Sequence, residues 1–184
     1  DSLAMLYALA EMRRFYPEPY EVTAVCVDMG TGEFRTGATL SKLAEYYAST
    51  YMLHFDGKAQ NLYGPAYKGI PLCAATAMKL SDVYGQNLTF TYNRKEVKDH
   101  GEGGSLVGYK YAEKTNVVII EDVITAGTSV NETMQALSQI ENANVIGLLI
   151  SVDRKEKLEN GKSALQTVQD EYGIEAHSII DIND

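Results

Sequence analysis

The stretch NVVIIEDVITAGTSVNETM, residues 116–134, carries a strand, an acidic pair, a turn of small residues and the start of a helix. Val117 to Ile120 are consecutive apolar residues, the pattern of a short strand buried on both faces, and Glu121 and Asp122 stand where that strand is expected to emerge into solvent. Thr125, Ala126, Gly127, Thr128 and Ser129 are small enough for their amides and hydroxyls to close around an anion, with Gly127 free to take a positive φ. Ser129 and Glu132 have capping-box spacing, and Val130, Met134 and Leu137 follow at helical period. The turn therefore delivers its ligand to a helix N-terminus.

Carboxylates repel phosphate, so an acidic pair just before an anion cradle must serve another group. Sugar hydroxyls suit it: Glu121 and Asp122 can accept hydrogen bonds from a ribose 2′- and 3′-OH while the amides of residues 125–129 hold the 5′-phosphate. A nucleotide hydrolase with a metal-binding acid at a strand end is the competing reading. It needs a GxxxxGK[ST] loop, and the nearest candidate, Gly161-Lys162-Ser163, has Glu156 where the first glycine belongs.

Outward from this centre, strands and helices alternate. Leu40, Leu43, Ala44, Tyr47 and Tyr51 predict a helix over 39–52. A short strand at 60–63 runs into GPAYKGI, residues 64–70, where Gly64 and Pro65 force a turn, Tyr67 and Lys68 project, and Pro71 opens a helix with Ile70, Cys73, Ala74, Ala77 and Leu80 apolar. Leu88, Phe90 and Tyr92 alternate as a strand and lead into NRKEVKDHGEGGSLVG, residues 93–108. There Arg94, Lys95, Lys98 and His100 precede Gly101, Gly103, Gly104 and Gly108, which loosen the chain. A solvated charge run is the ordinary reading of such a stretch; a mobile basic loop that receives a departing pyrophosphate is the functional one. Downstream, Val145 to Val152 is a buried strand ending in Asp153 and Arg154, residues 163–172 are a helix stopped by Gly173, and Ala176 to Ile180 are a last strand. The fold class expected is α/β, an open, mainly parallel sheet flanked by helices.

The chain's 184 residues, 45% hydrophobic and 22% charged, suit one globular domain, and no stretch reads as a membrane span or signal peptide. A net charge of −9 argues against nucleic acid as the main partner, while leaving room for a small phosphorylated ligand met by the local cations of 94–100. Cys26 and Cys73 lie in apolar contexts without CxxC or paired histidines, which points to reduced core thiols in a cytoplasmic protein and not to zinc.

Three motifs taken in order, GPAYKGI, NRKEVKDHGEGG and EDVITAGTS, resemble those of the type I phosphoribosyltransferases, and within them the orotate phosphoribosyltransferase family, over residues 31–184. The resemblance implies the type I fold and transfer of ribose 5-phosphate from phosphoribosyl diphosphate (PRPP) to orotate in pyrimidine (UMP) biosynthesis. Mg²⁺ would be bound mainly through PRPP, with no metal ligands of the chain's own, and a homodimer would share its active sites. It assigns substrate binding to Tyr67, Lys68, Arg94, Lys95, Lys98, His100, Glu121, Asp122, Val123, Ile124, Thr125, Ala126, Gly127, Thr128, Ser129 and Arg154. The catalytic roles fall to Lys98, His100, Asp122 and Glu121. Arg154 would meet the orotate base or its carboxylate, a surface ion pair with Asp153 or Glu156 being the alternative.

Residues 1–30 stand apart. DSLAMLYALAEMRRFYPEPYEVTAVCVDMG resembles the helix and strand that follow the phosphate loop of a PP-loop ATP pyrophosphatase, with only Asp1 and Ser2 of the SGGxDS loop present. Family members carry a segment of the form KSGRxSPYF ahead of Phe34 that covers the orotate, and EVTAVCVDMGTG occupies its place. The domain expectation is thus an atypical segment at 1–30 before a phosphoribosyltransferase domain at 31–184. Three outcomes are open: an orotate phosphoribosyltransferase, active or impaired by this segment; a PRPP-binding regulator or scaffold without turnover; or a PP-loop-derived tRNA-modifying fragment.

Overall fold

A computed structural model describes residues 36–94, 106–124, 128–158 and 161–181. The chain divides into two compact units, Asp1–Thr39 and Leu40–Asp184. Only residues 36–39 of the first unit are described, so the expected helix at 3–16 and strand at 22–27 lie outside the described residues.

The second unit is built on a six-stranded sheet in the order β3-β2-β1-β4-β5-β6. Its strands are β1 (Asn61–Gly64), β2 (Thr89–Asn93), β3 (Leu106–Gly108), β4 (Thr115–Val123), β5 (Ala143–Asp153) and β6 (Glu175–Asp181). All neighbours pair in parallel except β2 with β3. The helices are α1 (Thr36–Phe55), α2 (Gly69–Tyr84), α3 (Thr128–Ser138) and α4 (Ala164–Tyr172).

Each face of the sheet has its own core. Val117 and Ile119 of β4 join Val130 and Leu137 of α3 and Val168 of α4. Val118 and Ile120 join Tyr47, Tyr51 and Phe55 of α1 and Leu72, Cys73 and Leu80 of α2. Successive residues of β4 thus serve opposite layers, which is why the strand reads as an unbroken apolar run. Ala44, Tyr47, Ala48, Tyr51 and Phe55 are buried at helical spacing along α1, which runs about a turn beyond the predicted helix at each end. Ser163 caps α4 by accepting from the Gln166 amide, and Gly173 ends it with a φ of 64°.

The structure corrects several expectations. Leu72 and Thr76, with Cys73 and Leu80, form the buried face of α2, while Ile70, Ala74 and Ala77 are half-exposed. Gly108 does not loosen a loop. It lies in β3, where a Cβ would stand 2.3 Å from the Phe90 carbonyl oxygen. The three-residue strand β3, antiparallel to β2, escaped the sequence reading because it carries too few residues to show alternation. α3 begins at Thr128, which places Ser129 inside its first turn and not at the cap. Among the described residues no helix is long and apolar enough to cross a membrane.

Candidate functional site

The site begins where β4 outruns its neighbour. Pairing between β1 and β4 ends at Tyr63 with Ile119, whereas pairing between β4 and β5 continues through Glu121 with Ile150 to Val123 with Val152. Glu121 and Asp122 are therefore strand residues supported on one side only. Glu121 does not emerge into solvent as expected: it is 7% exposed, because β5 carries the ladder past it.

The alternation of β4 turns Asp122 towards the layer of α1 and α2. There the loop between β1 and α2 meets it, and Lys68 Nζ lies 2.8 Å from Asp122 Oδ2. The Val123 amide donates to Asp122 Oδ1 at 2.8 Å, and the Asp122 amide donates to Glu121 Oε1 at 3.0 Å. The acids titrate apart. Burial, reinforced by Asp122, raises the Glu121 carboxyl to about 7. Burial also opposes ionisation of Asp122, but the Lys68 ammonium, the Val123 amide and Glu121 together hold its carboxyl below the usual value. Asp122 in turn raises the Lys68 ammonium.

The loop that delivers Lys68 is tightly seated. A Cβ on Gly64 would stand 2.4 Å from the Gly69 carbonyl oxygen, and one on Gly69 would stand 2.9 Å from that of Ile120. Both glycines are required by close backbone approach, not only by the turn. Asn93 Oδ1, at the end of β2, accepts from the Ala66 amide at 2.8 Å, and the peptide between Ala66 and Tyr67 is cis. Tyr67 is 65% exposed beside Lys68. Pro65, Ala66, Asn93, Arg94, Glu132 and Thr133 line a neighbouring cleft of about 450 Å³, so Arg94 faces the space between the loop and α3.

Arg154 lies just past β5 and pairs with Glu156 at 3.3 Å, and Asp153 accepts from the Lys155 amide at 2.9 Å. Of the alternatives open for Arg154, the ion pair with Glu156 is thus present in this state. Ile124 is 6% exposed with its side chain in the core, so only its backbone is placed to meet a ligand. Lys95, Lys98, His100, Thr125, Ala126 and Gly127 lie outside the described residues, as do the side chains of Thr128 and Ser129. Sequence reasoning missed Asn93, and it took Tyr47 for core alone although the Tyr47 hydroxyl reaches the Glu121 carbonyl oxygen. Asn93 stands in the motif NRKE and its position next to Arg94 was the available signal.

Glu121 gives the site a pH signature. Its folded pKa lies above the unfolded carboxyl value of about 4.3, so its stabilising contribution is complete below that value and is lost as pH rises through about 7. Melting temperatures of the wild type and Glu121→Gln, compared at pH 5 and pH 7.5, should show the wild type losing ground to the variant at the higher pH. A gap that stays constant would mean Glu121 is not held protonated.

A mainly parallel sheet with an acidic pair at the end of β4 and a helix opening just beyond it defines a phosphoribosyltransferase-type site, and the phosphoribosyl transferase domain family matches residues 30–173. The orotate phosphoribosyltransferase of Lachnoclostridium phytofermentans is 51% identical over 156 residues, covering 83% of this chain and 68% of the relative. That of Methylococcus capsulatus is 51% identical over 150 residues, covering 81% and 68%. The crystal structure of the Francisella tularensis orotate phosphoribosyltransferase is similar with a TM-score of 0.70 at 35% identity, over 81% of this chain and 69% of that one. The chain belongs to the orotate phosphoribosyltransferase family.

Proposed function

We propose that the protein transfers the ribose 5-phosphate of PRPP to orotate, giving orotidine 5′-monophosphate and diphosphate, as a step of pyrimidine synthesis in the cytoplasm. The observation that carries this reading is the Lys68–Asp122 pair beside the buried Glu121 at the end of β4, in a chain of this family.

Displacing diphosphate from the anomeric carbon builds positive charge on the ribose ring and negative charge on the departing oxygens. Asp122 and Glu121 accept the ribose hydroxyls, and Asp122, whose carboxyl is held below the usual value, offsets the developing cation. Lys68, 76% exposed at its side chain, swings from Asp122 to the diphosphate, and Arg94, Lys95, Lys98 and His100 add positive charge to the leaving group. His100, a member of the same basic run in the sequence, donates a proton to it. The backbone amides of residues 125–129 hold the 5′-phosphate, and Arg154 exchanges Glu156 for the orotate carboxylate.

Among the described residues no group of three or more His, Cys, Asp or Glu is disposed to hold a metal ion. Mg²⁺ carried in by PRPP would keep water and phosphate oxygens as most of its ligands, so it does not need such a group. Bound in this way, Mg²⁺ would neutralise charge on the diphosphate. The assembly proposed is a homodimer in which the basic run 94–100 of one protomer serves the site of its partner.

The test is the orotate-dependent absorbance change with PRPP and Mg²⁺, run beside calorimetric titration of PRPP. Turnover supports the reading. PRPP binding without turnover would make the protein a PRPP-binding regulator, and neither binding nor turnover would overturn both readings. Lys98→Ala should lower kcat by about 10²–10³-fold while changing PRPP affinity less than about threefold, because the basic loop acts as diphosphate departs. Equal losses in rate and affinity would remove that role.

A further inference from the structure

Tyr47 occupies a core position of α1 with no exposed surface, yet its hydroxyl is engaged at the edge of the site. It donates to the Glu121 carbonyl oxygen at 2.5 Å and shares a hydrogen bond of 2.7 Å with Ser151 Oγ. Packing alone does not call for this oxygen. Of the other buried positions on the same helix face, Ala44, Ala48 and Phe55 carry no side-chain polar atom and the Tyr51 hydroxyl makes only a long bond of 3.4 Å to the Ala59 carbonyl oxygen, while a Phe ring at 47 would bury the same apolar surface.

What the oxygen adds is a link between two strands at a decisive height. Glu121 pairs with Ile150 and Val123 with Val152, so Ser151 lies between the last rungs joining β4 and β5. On its other side β4 has already run past β1, whose pairing stops at Ile119. The Tyr47 phenol therefore fastens the end of β4 from the helix layer, at the residue that begins the acidic pair, and fastens β5 three residues before Arg154. Burial, and after it the nearby Asp122 and Glu121, push the phenol pKa well above its ordinary value although Ser151 opposes this, so the hydroxyl keeps its proton as a donor across the working pH range.

We propose that Tyr47 is a positioning residue for the transfer reaction: its hydroxyl fixes the ends of β4 and β5 against each other, so that the ribose-binding carboxylates and the orotate-binding Arg154 are presented in one geometry. This rests on the function proposed above. Tyr47 touches neither substrate, and its influence passes through the Glu121 backbone and Ser151.

The experiment compares wild type, Tyr47→Phe, Ser151→Ala and the double variant for kcat, the KM of each substrate, the pH profile of kcat/KM for PRPP, and melting temperature. Tyr47→Phe keeps the ring and should lower kcat/KM for PRPP about tenfold or more, since misplacement by an ångström can cost up to about 10²-fold. It should also move the limb of the pH profile that reports Glu121. Ser151→Ala should raise the orotate KM, and adding it to Tyr47→Phe should cost less than the product of the single effects, because both remove parts of one hydrogen-bonded unit. A Tyr47→Phe protein that melts lower but keeps wild-type kinetic constants and pH profile would overturn the proposal, leaving Tyr47 a purely structural residue. Should Tyr47→Phe not fold, Ser151→Ala decides alone: an unchanged orotate KM overturns the proposal. A folded wild type that fails to convert PRPP and orotate would instead overturn the function itself, and the positioning role with it.

Discussion

Asp122→Asn should reduce kcat/KM for PRPP by about 10²–10³-fold, weaken PRPP binding by about tenfold or more, and leave the melting temperature within about 4 °C of wild type. The small thermal effect follows from the pair that is broken. Lys68 is 76% exposed at its side chain and Asp122 26%, and an ion pair so open to water is worth about 0–1 kcal/mol. Asn can still accept from the Val123 amide, so the local backbone bond is retained. The large kinetic effect follows from the charge that is lost. An amide cannot offset the cation that develops on the ribose, and its hydrogen bonds to the sugar hydroxyls lack the strength that the carboxylate gives them. Removal of the like charge would also ease ionisation of Glu121, whose pKa is raised first by burial and further by Asp122, without replacing the missing group. Steady-state kinetics and calorimetry at fixed Mg²⁺ check this, and an unchanged rate would remove Asp122 from the ribose site.

The residues that could be read in advance were those whose chemistry and spacing coincide. Val117 to Ile120 announced a doubly buried strand, and Lys68 in GPAYKGI and Asp122 in EDVITAGTS could be named from motifs 54 residues apart before the structure placed them 2.8 Å from each other. What stayed hidden depends on a neighbour in space. The burial of Glu121 is set by β5 extending beyond β1, and no local pattern in residues 116–134 encodes where another strand stops. Tyr47 falls on the buried stripe of α1, where periodicity cannot tell a phenol with a task from a ring that only packs. Asn93 reads as one polar residue in a basic run, although its side chain is spent on the Ala66 amide. Gly64 was read as a turn residue, whereas its requirement comes from Gly69 and Cys73 pressing against it.

That last contact gives Gly64→Ala a large expected effect on both folding and the site. The new Cβ would stand 2.4 Å from the Gly69 carbonyl oxygen, 2.8 Å from the Gly69 carbonyl carbon and 2.6 Å from the Cys73 Cβ. Two of these are backbone atoms, and Cys73 is fully buried, so none can swing aside and the end of β1 must part from the first turn of α2. Overpacking of this kind costs about 3 kcal/mol, which for a chain of this size lowers the melting temperature by about 6–12 °C. The segment between the separating elements is the loop that carries Tyr67 and Lys68, so the displacement is delivered to the site itself and should cost a further ~10²-fold in kcat/KM. Gly147→Ala separates the two effects. Its Cβ would lie 2.2 Å from the buried Phe55 ring, in the middle of β5, and should lower the melting temperature comparably while the folded protein keeps its kcat/KM. If Gly64→Ala also kept its kcat/KM, the seating of the loop on Gly64 would have no part in placing Lys68.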